Sequence, residues 1–417
     1  MNTDSPEIIF GGNDPLQMAP PRTEAAVSSW QRQMGVGRLA WNRIWKTPVT
    51  PVRAWAQRYV TQYQGPVLIF NLSAIKDRMQ RLSNLGDRFN TGFLMAVKGM
   101  PEEAVFGLAA KHLAGFDVSN AAELESLGEH AHGKMVFVTG GLTTSMPQLM
   151  KESPAWIGVL DSPEQMRQRA KMGQHSCYAI RLNSARLLVS EDPAYYPVSR
   201  FGFSEADIRP AIKQYDQPEP RGFHVHHGSE RNAITTYLTM ARNAVEMAAR
   251  LNIGIEFLNL GGGLHCMGFE SVEKLLARLR EVVPSSVRIY FEPGRFLTQR
   301  AGYALARVGG RFKCDETPSY VVDLSARCHL KWSEPFLVLP MADKAKHFNS
   351  VRLFGPTCYE GDFVGEFQIP DHFSVDELID TGSFLLFANV SGYSCGWNSG
   401  FNGVPRARIV FVEDAHA

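Results

Sequence analysis

The sequence predicts an α/β chain in two parts, a closed (β/α)8 barrel of the TIM type and a mostly β C-terminal domain. The first observation is rhythm. From residue 66 to about 293, short apolar runs alternate with stretches of helical period, the pattern of a parallel sheet wrapped by helices. About eight such repeats close a barrel. The second is a change of texture after Pro293, where apolar runs are separated by turns with little helix between them. The third is length: 417 residues exceed what one small core accommodates.

The elements come in order. Val67-Leu68-Ile69-Phe70 opens the series, with helix expected from Leu72 to Leu82. Phe93 to Val97 is the next strand, then helix 102–113, strand 115–118 and helix 121–130. Strands follow at 136–138, 156–160, 177–182, 222–226, 256–260 and 287–291, with helices at 163–172, 233–251 and 271–282 between them. In the second part, 302–308, 319–324, 351–354, 383–388 and 408–412 read as strands. The expected organisation is an N-terminal arm over 1–65 that joins the β domain and carries a helix at 24–34, a barrel over 66–295, and the β domain over 296–417.

Composition excludes some classes of partner. The chain is 44% hydrophobic and 20% charged, with 43 basic against 42 acidic side chains. That balance gives no footing for nucleic acid or an anionic membrane. The first residues lack the basic start and apolar core of a signal peptide, and no apolar run approaches the roughly 20 residues of a membrane span. The six cysteines, at 177, 266, 314, 328, 358 and 395, are scattered without a CxxC. They read as thiols of a cytoplasmic protein.

Several motifs carry chemistry. Lys98 closes the apolar run 93–97; it either snorkels to solvent or is kept poorly solvated, which lowers an amine's pKa and favours Schiff-base formation. Gly261-Gly262-Gly263 follows a strand, where bare backbone N–H groups approach a phosphate at the face on which barrels hold one. A lone run of three glycines is more often a tight turn than a ligand site. Glu292, in Phe291-Glu292-Pro293-Gly294-Arg295, could keep a pyridine nitrogen protonated, and Arg295 could add charge for a phosphate. The plain alternative is a surface ion pair.

His224 and His226 share one strand face, with His226 nearer the C-terminal end. Such a pair also suits zinc, but it arrives late for a metal-dependent hydrolase. Asp117 ends another strand, and Asn120 with Glu123 reads as a capping box. Cys358 sits in a Gly/Pro loop, either as an inert buried thiol or as an acid beside a cofactor. Tyr393 offers a phenol for phosphate or for proton transfer.

Taken in order, AVKG (96–99), GFDVSN (115–120), SRFG (199–202), HVHHGS (224–229), LGGG (260–263), FEPGR (291–295), GPTCYEGD (355–362) and SGY (391–393) resemble a known family. It is the fold-type III pyridoxal phosphate (PLP) decarboxylases, which include the ornithine, diaminopimelate and carboxynorspermidine decarboxylases. The resemblance covers roughly 66–417. It implies a PLP-binding barrel and β domain of the alanine racemase and ornithine decarboxylase type, with no metal. Lys98 would carry PLP and His226 would stack on its ring. Ser229, Gly261, Gly262, Gly263, Gly294, Arg295 and Tyr393 would hold the phosphate. Glu292 would pair with the ring nitrogen, while Asp117 and Arg181 line the surroundings. Cys358 would return a proton after CO2 leaves. The family draws that loop from a second copy, which implies a homodimer with shared active sites.

Departures from the family pattern bear on substrate. The position after the loop cysteine, usually Glu or Asp, is Tyr359. Losing that anion argues against a free cationic tail unless Glu360 or Asp362 substitutes. Arg327, in Ala326-Arg327-Cys328-His329-Leu330-Lys331-Trp332, adds positive charge where the distal end of the substrate is expected. These departures fit the branch that decarboxylates citrate-linked diamino acids in siderophore biosynthesis. The alternatives are a decarboxylase of free diaminopimelate, lysine or ornithine, a PLP racemase, and a non-catalytic regulator.

Overall fold

The computed structural model describes residues 56, 58–140, 156–171, 177–188, 199–228, 233–314, 316–338, 347–371 and 373–413. They divide into two compact units, one of residues up to 74 together with 298 onward, the other of 75–297. The expected arm helix at 24–34 lies outside the described residues.

The first strand, β1 (Val67–Asn71), is not part of the barrel. Eight parallel strands close on themselves in sequence order: β2 (Thr91–Ala96), β3 (Gly115–Val118), β4 (Met135–Val138), β5 (Trp156–Leu160), β6 (Tyr178–Arg181), β7 (Gly222–His224), β8 (Phe257–Asn259) and β9 (Arg288–Phe291). β9 returns to β2, with Phe93 opposite Phe291. Side chains fill the interior. Leu94, Phe137, Ile157, Val159, Ala179, Phe257 and Tyr290 form one cluster, in which Phe137 meets Phe257 edge-on at 5.2 Å. Close strand approach demands glycine at position 115, where a Cβ would stand 1.8 Å from the Met135 carbonyl oxygen.

Between the strands run helices Glu103–His112, Ala121–Leu127, Pro163–Lys171, Glu205–Gln214, Ile234–Arg250 and Phe269–Val282. The expected cap is formed: Asn120 Oδ1 accepts the Glu123 N–H at 2.9 Å. Glu123 Oε2 reaches back to the Ser119 N–H at 2.7 Å. Helix Glu205–Gln214 was not expected, because Pro210 sits inside it and argues against a helix.

The other unit is an eight-stranded sheet among the described residues. It holds β1, β10 (Gly302–Cys314), β11 (Thr317–Val322), β12 (Phe336–Leu337), β13 (Phe348–Phe354), β14 (Phe363–Pro370), β15 (Phe384–Val390) and β16 (Arg408–Val412). The spatial order is β12-β15-β10-β11-β13-β14, with β1 antiparallel to β10 and parallel to β16. Val67, Ile69, Leu305, Leu386 and Val412 meet in its core with Tyr59.

This corrects the expected start of the barrel at residue 66. Residues 67–70 are buried on both faces, so they show the same unbroken apolar run as a barrel strand, and the helix that follows completes a false βα unit. β14 was also missed, since Glu366 and Gln368 interrupt its apolar pattern.

Candidate active site

The chemistry-bearing residues of the barrel unit gather at one end of it. Lys98 follows β2, Asp117 lies in β3 with Ser119 beyond it, and Asp161 follows β5. Arg181 ends β6, His224 ends β7 with His226 beyond it, Asn259 ends β8, and Glu292 follows β9. All therefore stand at the C-terminal rim of the parallel strands, where barrel enzymes carry their sites. Strand register sets Arg181, His224 and Asn259 side by side on three neighbouring strands.

Lys98 sits in a short 3-10 turn after β2, with its side chain 43% exposed. Its Nζ donates to Asp117 Oδ2 at 2.8 Å and to Ser119 Oγ at 3.3 Å. The pairing explains how a half-exposed amine is held in one place. Burial raises the Asp117 carboxyl, the nearby Glu292 charge raises it further, and Lys98 opposes both.

Glu292 is a buried carboxylate whose two oxygens have different surroundings. Oε1 accepts from Asn259 Nδ2 at 2.8 Å and faces His224 Nε2 at 3.1 Å. No hydrogen bond to Oε2 is found among the described residues. Burial pushes this carboxyl up, but the His224 imidazole, by charge and by hydrogen bond, outweighs it together with Lys98. The net effect is a pKa held down at about 2.

The glycine loop is tethered from within. Gly261 donates its N–H to Asn259 Oδ1 at 2.9 Å, and Gly262 donates to His226 Nδ1 at 3.0 Å. Tyr237 OH holds the Gly262 carbonyl at 2.7 Å. The expectation that all three glycines offer N–H groups to a phosphate is thereby narrowed, because two of them are occupied. The N–H groups of Gly263, at φ +98°, and Leu264 make no hydrogen bond among the described residues. Gly261 has φ +67°, and a Cβ there would come 2.6 Å from His226 Nδ1. His226 is therefore a hydrogen-bond acceptor at Nδ1 and neutral, and burial pushes its pKa down to about 3.

Arg295 begins the turn after Gly294, and its Nη1 lies 3.4 Å from His265 Nε2. Burial and the adjacent Arg295 push His265 down to about 3 as well. Arg181 pairs with Asp161 at 3.5 Å and lies over the Phe201 ring, 4.4 Å from its centroid. Ser229 lies outside the described residues.

In the β unit, Cys358 is exposed, and its N–H is held by Asn402 Oδ1 at 2.8 Å. Asp362 organises the surrounding turns. Its Oδ1 accepts from Ser325 Oγ at 2.9 Å and the Ala326 N–H at 2.8 Å, and its Oδ2 accepts from Thr357 Oγ1 at 2.8 Å. With both oxygens engaged, Asp362 is not the replacement anion that the sequence allowed. Arg327 Nε donates to the Gly361 carbonyl at 2.7 Å, and its guanidinium lies 5.4 Å from the Tyr359 ring centroid. Tyr359 and Glu360 are exposed. Tyr393 packs edge-on against Trp332, centroids 4.9 Å apart.

His226 accepts the Gly262 N–H on Nδ1 and so carries its proton on Nε2, which takes one imidazole of the pair away from zinc. The residues fit PLP instead. A pyridine ring with a protonated nitrogen needs one unshared carboxylate oxygen, which Glu292 Oε2 offers. A phosphate needs bare N–H groups beside an arginine, which Gly263, Leu264 and Arg295 offer. Among the described residues, Asp117 Oδ1, Arg181 Nε and His224 Nδ1 are buried without hydrogen-bond partners, as in a rim shaped around a polar ligand.

Fold and rim together define a PLP-binding barrel enzyme. Residues 72–299, more than half of the chain, match the model of the pyridoxal-dependent decarboxylase, pyridoxal binding domain. The chain belongs to the pyridoxal-dependent decarboxylases, and its cofactor is PLP. It is 26% identical over 271 residues to diaminopimelate decarboxylase of Aquifex aeolicus, covering 58% of this chain and 61% of that protein. It is 25% identical over 350 residues to the enzyme of the same name from Pseudomonas aeruginosa, covering 76% and 80%. Among solved structures, the arginine decarboxylase of Paramecium bursaria Chlorella virus superposes with a TM-score of 0.73 at 18% identity, over 87% of this chain and all of that one. Among the described residues, no helix is long and apolar enough to cross a membrane.

Sequence reasoning missed Asn259, His265 and Asp161 and gave His224 no role. Asn259 carried a signal: an amide two residues before a glycine suits a turn in which its side chain takes that glycine's N–H.

Proposed function

We propose that this chain removes the α-carboxylate of an amino acid whose far end carries negative charge, such as a citrate-linked diamino acid of siderophore biosynthesis. The open Oε2 of Glu292, beside its saturated Oε1, carries the chemical part of this reading. When bound, PLP supplies the electron sink that receives the bond pair left by the departing carboxylate. Lys98 Nζ, poised by Asp117, is the amine that attaches it. Glu292 Oε2 would hold the proton on the ring nitrogen, and His226 would support the ring's face as a neutral imidazole. Arg295 with the Gly263 and Leu264 N–H groups would anchor the phosphate, joined by Gly294.

Replacing the carboxylate takes one proton at the α-carbon. Cys358 Sγ would give it, and the resulting thiolate is reprotonated from water, so one proton is consumed per amine formed. Cys358 is exposed, as are Trp332, Tyr359, Trp397 and Phe401 of the same unit. Solvent-facing aromatics on the unit that carries the proposed acid support a homodimer whose second copy covers them. We place the enzyme in the cytoplasm on the strength of its thiols.

The substrate's far end is read from Tyr359, which supplies no anion, and from the Arg327 guanidinium beside it. A free basic amino acid is the second reading, favoured by relatives named for diaminopimelate and carboxynorspermidine. Turnover of citryl-diaminopropionate against diaminopimelate, lysine and ornithine separates the two. The first reading expects the conjugate to be preferred, and Arg327→Gln to raise its KM about tenfold, the loss of one charged hydrogen bond. Activity confined to the free amino acids overturns it. A visible absorbance band that Lys98→Ala abolishes is expected in either case.

A further inference from the structure

The carboxylate for the ring nitrogen and the glycine loop for the phosphate come from successive strands, yet one side chain touches both. Asn259 donates its amide N–H to Glu292 Oε1 at 2.8 Å and accepts the Gly261 N–H on its amide oxygen at 2.9 Å. It is fully buried, so neither bond is shared with solvent and each is costly to leave unmade. We propose that Asn259 is a positioning residue, a two-sided clasp that joins the ring-nitrogen carboxylate to the phosphate loop and fixes their separation to the length of the cofactor.

The chemistry favours an amide over its isosteres. Aspartate would still accept from Gly261 but would set a second anion against Glu292. Leucine would fill the volume and make neither bond. Asparagine offers a donor and an acceptor on separate atoms, without charge. The donor has a second effect. Asn259 and His224 both spend themselves on Oε1, so Oε2 is left facing the ligand. Without the amide, Glu292 can rotate and present its oxygens in either order.

The clasp rests on the PLP reading, and its test separates the two. Apoprotein is titrated calorimetrically with pyridoxamine 5′-phosphate and with pyridoxamine. Both bind without a covalent bond to Lys98, and only the first carries a phosphate. Asn259→Asp keeps the glycine contact and loses the donor, so affinity for both ligands should fall about tenfold, one charged hydrogen bond. Asn259→Leu also frees the loop, so the 5′-phosphate compound should lose more than pyridoxamine does. Asn259→Ser serves as the milder variant, since its hydroxyl still reaches the Gly261 N–H but not Glu292; it should match Asn259→Asp even if the aspartate protein fails to fold.

Folded variants that bind both ligands as wild type does, with only the melting temperature lowered, would reduce Asn259 to packing and overturn the clasp. An equal loss for both ligands in Asn259→Leu would do the same. Wild-type apoprotein that binds neither ligand refutes the cofactor assignment instead.

Discussion

Glu292 in the barrel unit and Asp362 in the β unit are both buried carboxylates, 6% and 2% exposed, yet they are used in opposite ways. Asp362 has both oxygens engaged by the turns it organises, through Ser325, Ala326 and Thr357. Glu292 takes both of its protein donors on one oxygen. Burial does not tell a scaffold carboxylate from a reactive one; the distribution of donors over its two oxygens does. An anion with every lone pair served has finished its work in the fold, and one held open on a single side still has a partner to meet.

The sharpest way to break this comparison is Glu292→Gln. The amide can keep a bond to the rim but cannot hold a proton on the ring nitrogen. The expected result is a loss of about 10²- to 10³-fold in kcat, the scale for removing one preorganised electrostatic contact, measured by CO2 release from protein still carrying its absorbance band. A kcat within a few-fold of wild type would show that the open oxygen is incidental. Asp362→Asn should behave in the reverse manner. It leaves an amide N–H among donors, lowering stability by about 1–3 kcal/mol in denaturant unfolding, while cofactor affinity stays as in wild type. Lost cofactor affinity with unchanged stability would invert the assignment of the two carboxylates.

The smallest effect is on pH dependence and concerns two buried imidazoles of the rim. His226 and His265 are each pushed down to about 3, against about 6.5 in an unfolded chain. Each is neutral when folded and protonated when unfolded below that value. Each therefore contributes stability that is full above about pH 6.5 and is lost as the pH falls toward 3, by at most about 1.4 kcal/mol per pH unit. The raised Asp117 carboxyl works in the other sense, adding stability as the pH falls. His265→Gln should make the acid limb of apoprotein stability shallower, and an unchanged limb would show that His265 already titrates normally.

Much of the rim was legible because its residues lie at strand ends, where a break in an apolar run exposes them. Lys98 after 93–97 and Glu292 after 287–291 both stood out in this way. The glycine loop was visible as a motif, but its tethering was not, since the acceptor for Gly262 comes from His226 on another strand. Asp362 was left open as a substitute anion for a related reason. A sequence reports that a carboxylate is near a loop and is silent on whether its lone pairs are taken. β1 was misplaced because burial on both faces erases the alternation that would have marked it as a strand of the other sheet.

The position of β1 also bears on how the chain is made. Val67 pairs with Leu305 on one side and Arg408 on the other, so the strand leaves the ribosome long before either neighbour exists. Until then an apolar strand has two unsatisfied edges while the barrel strands can already pair, an invitation to aggregation or to a holding chaperone. Completion of that sheet is thus tied to the synthesis of β16, and chains stopped short of residue 408 would leave one edge of β1 open.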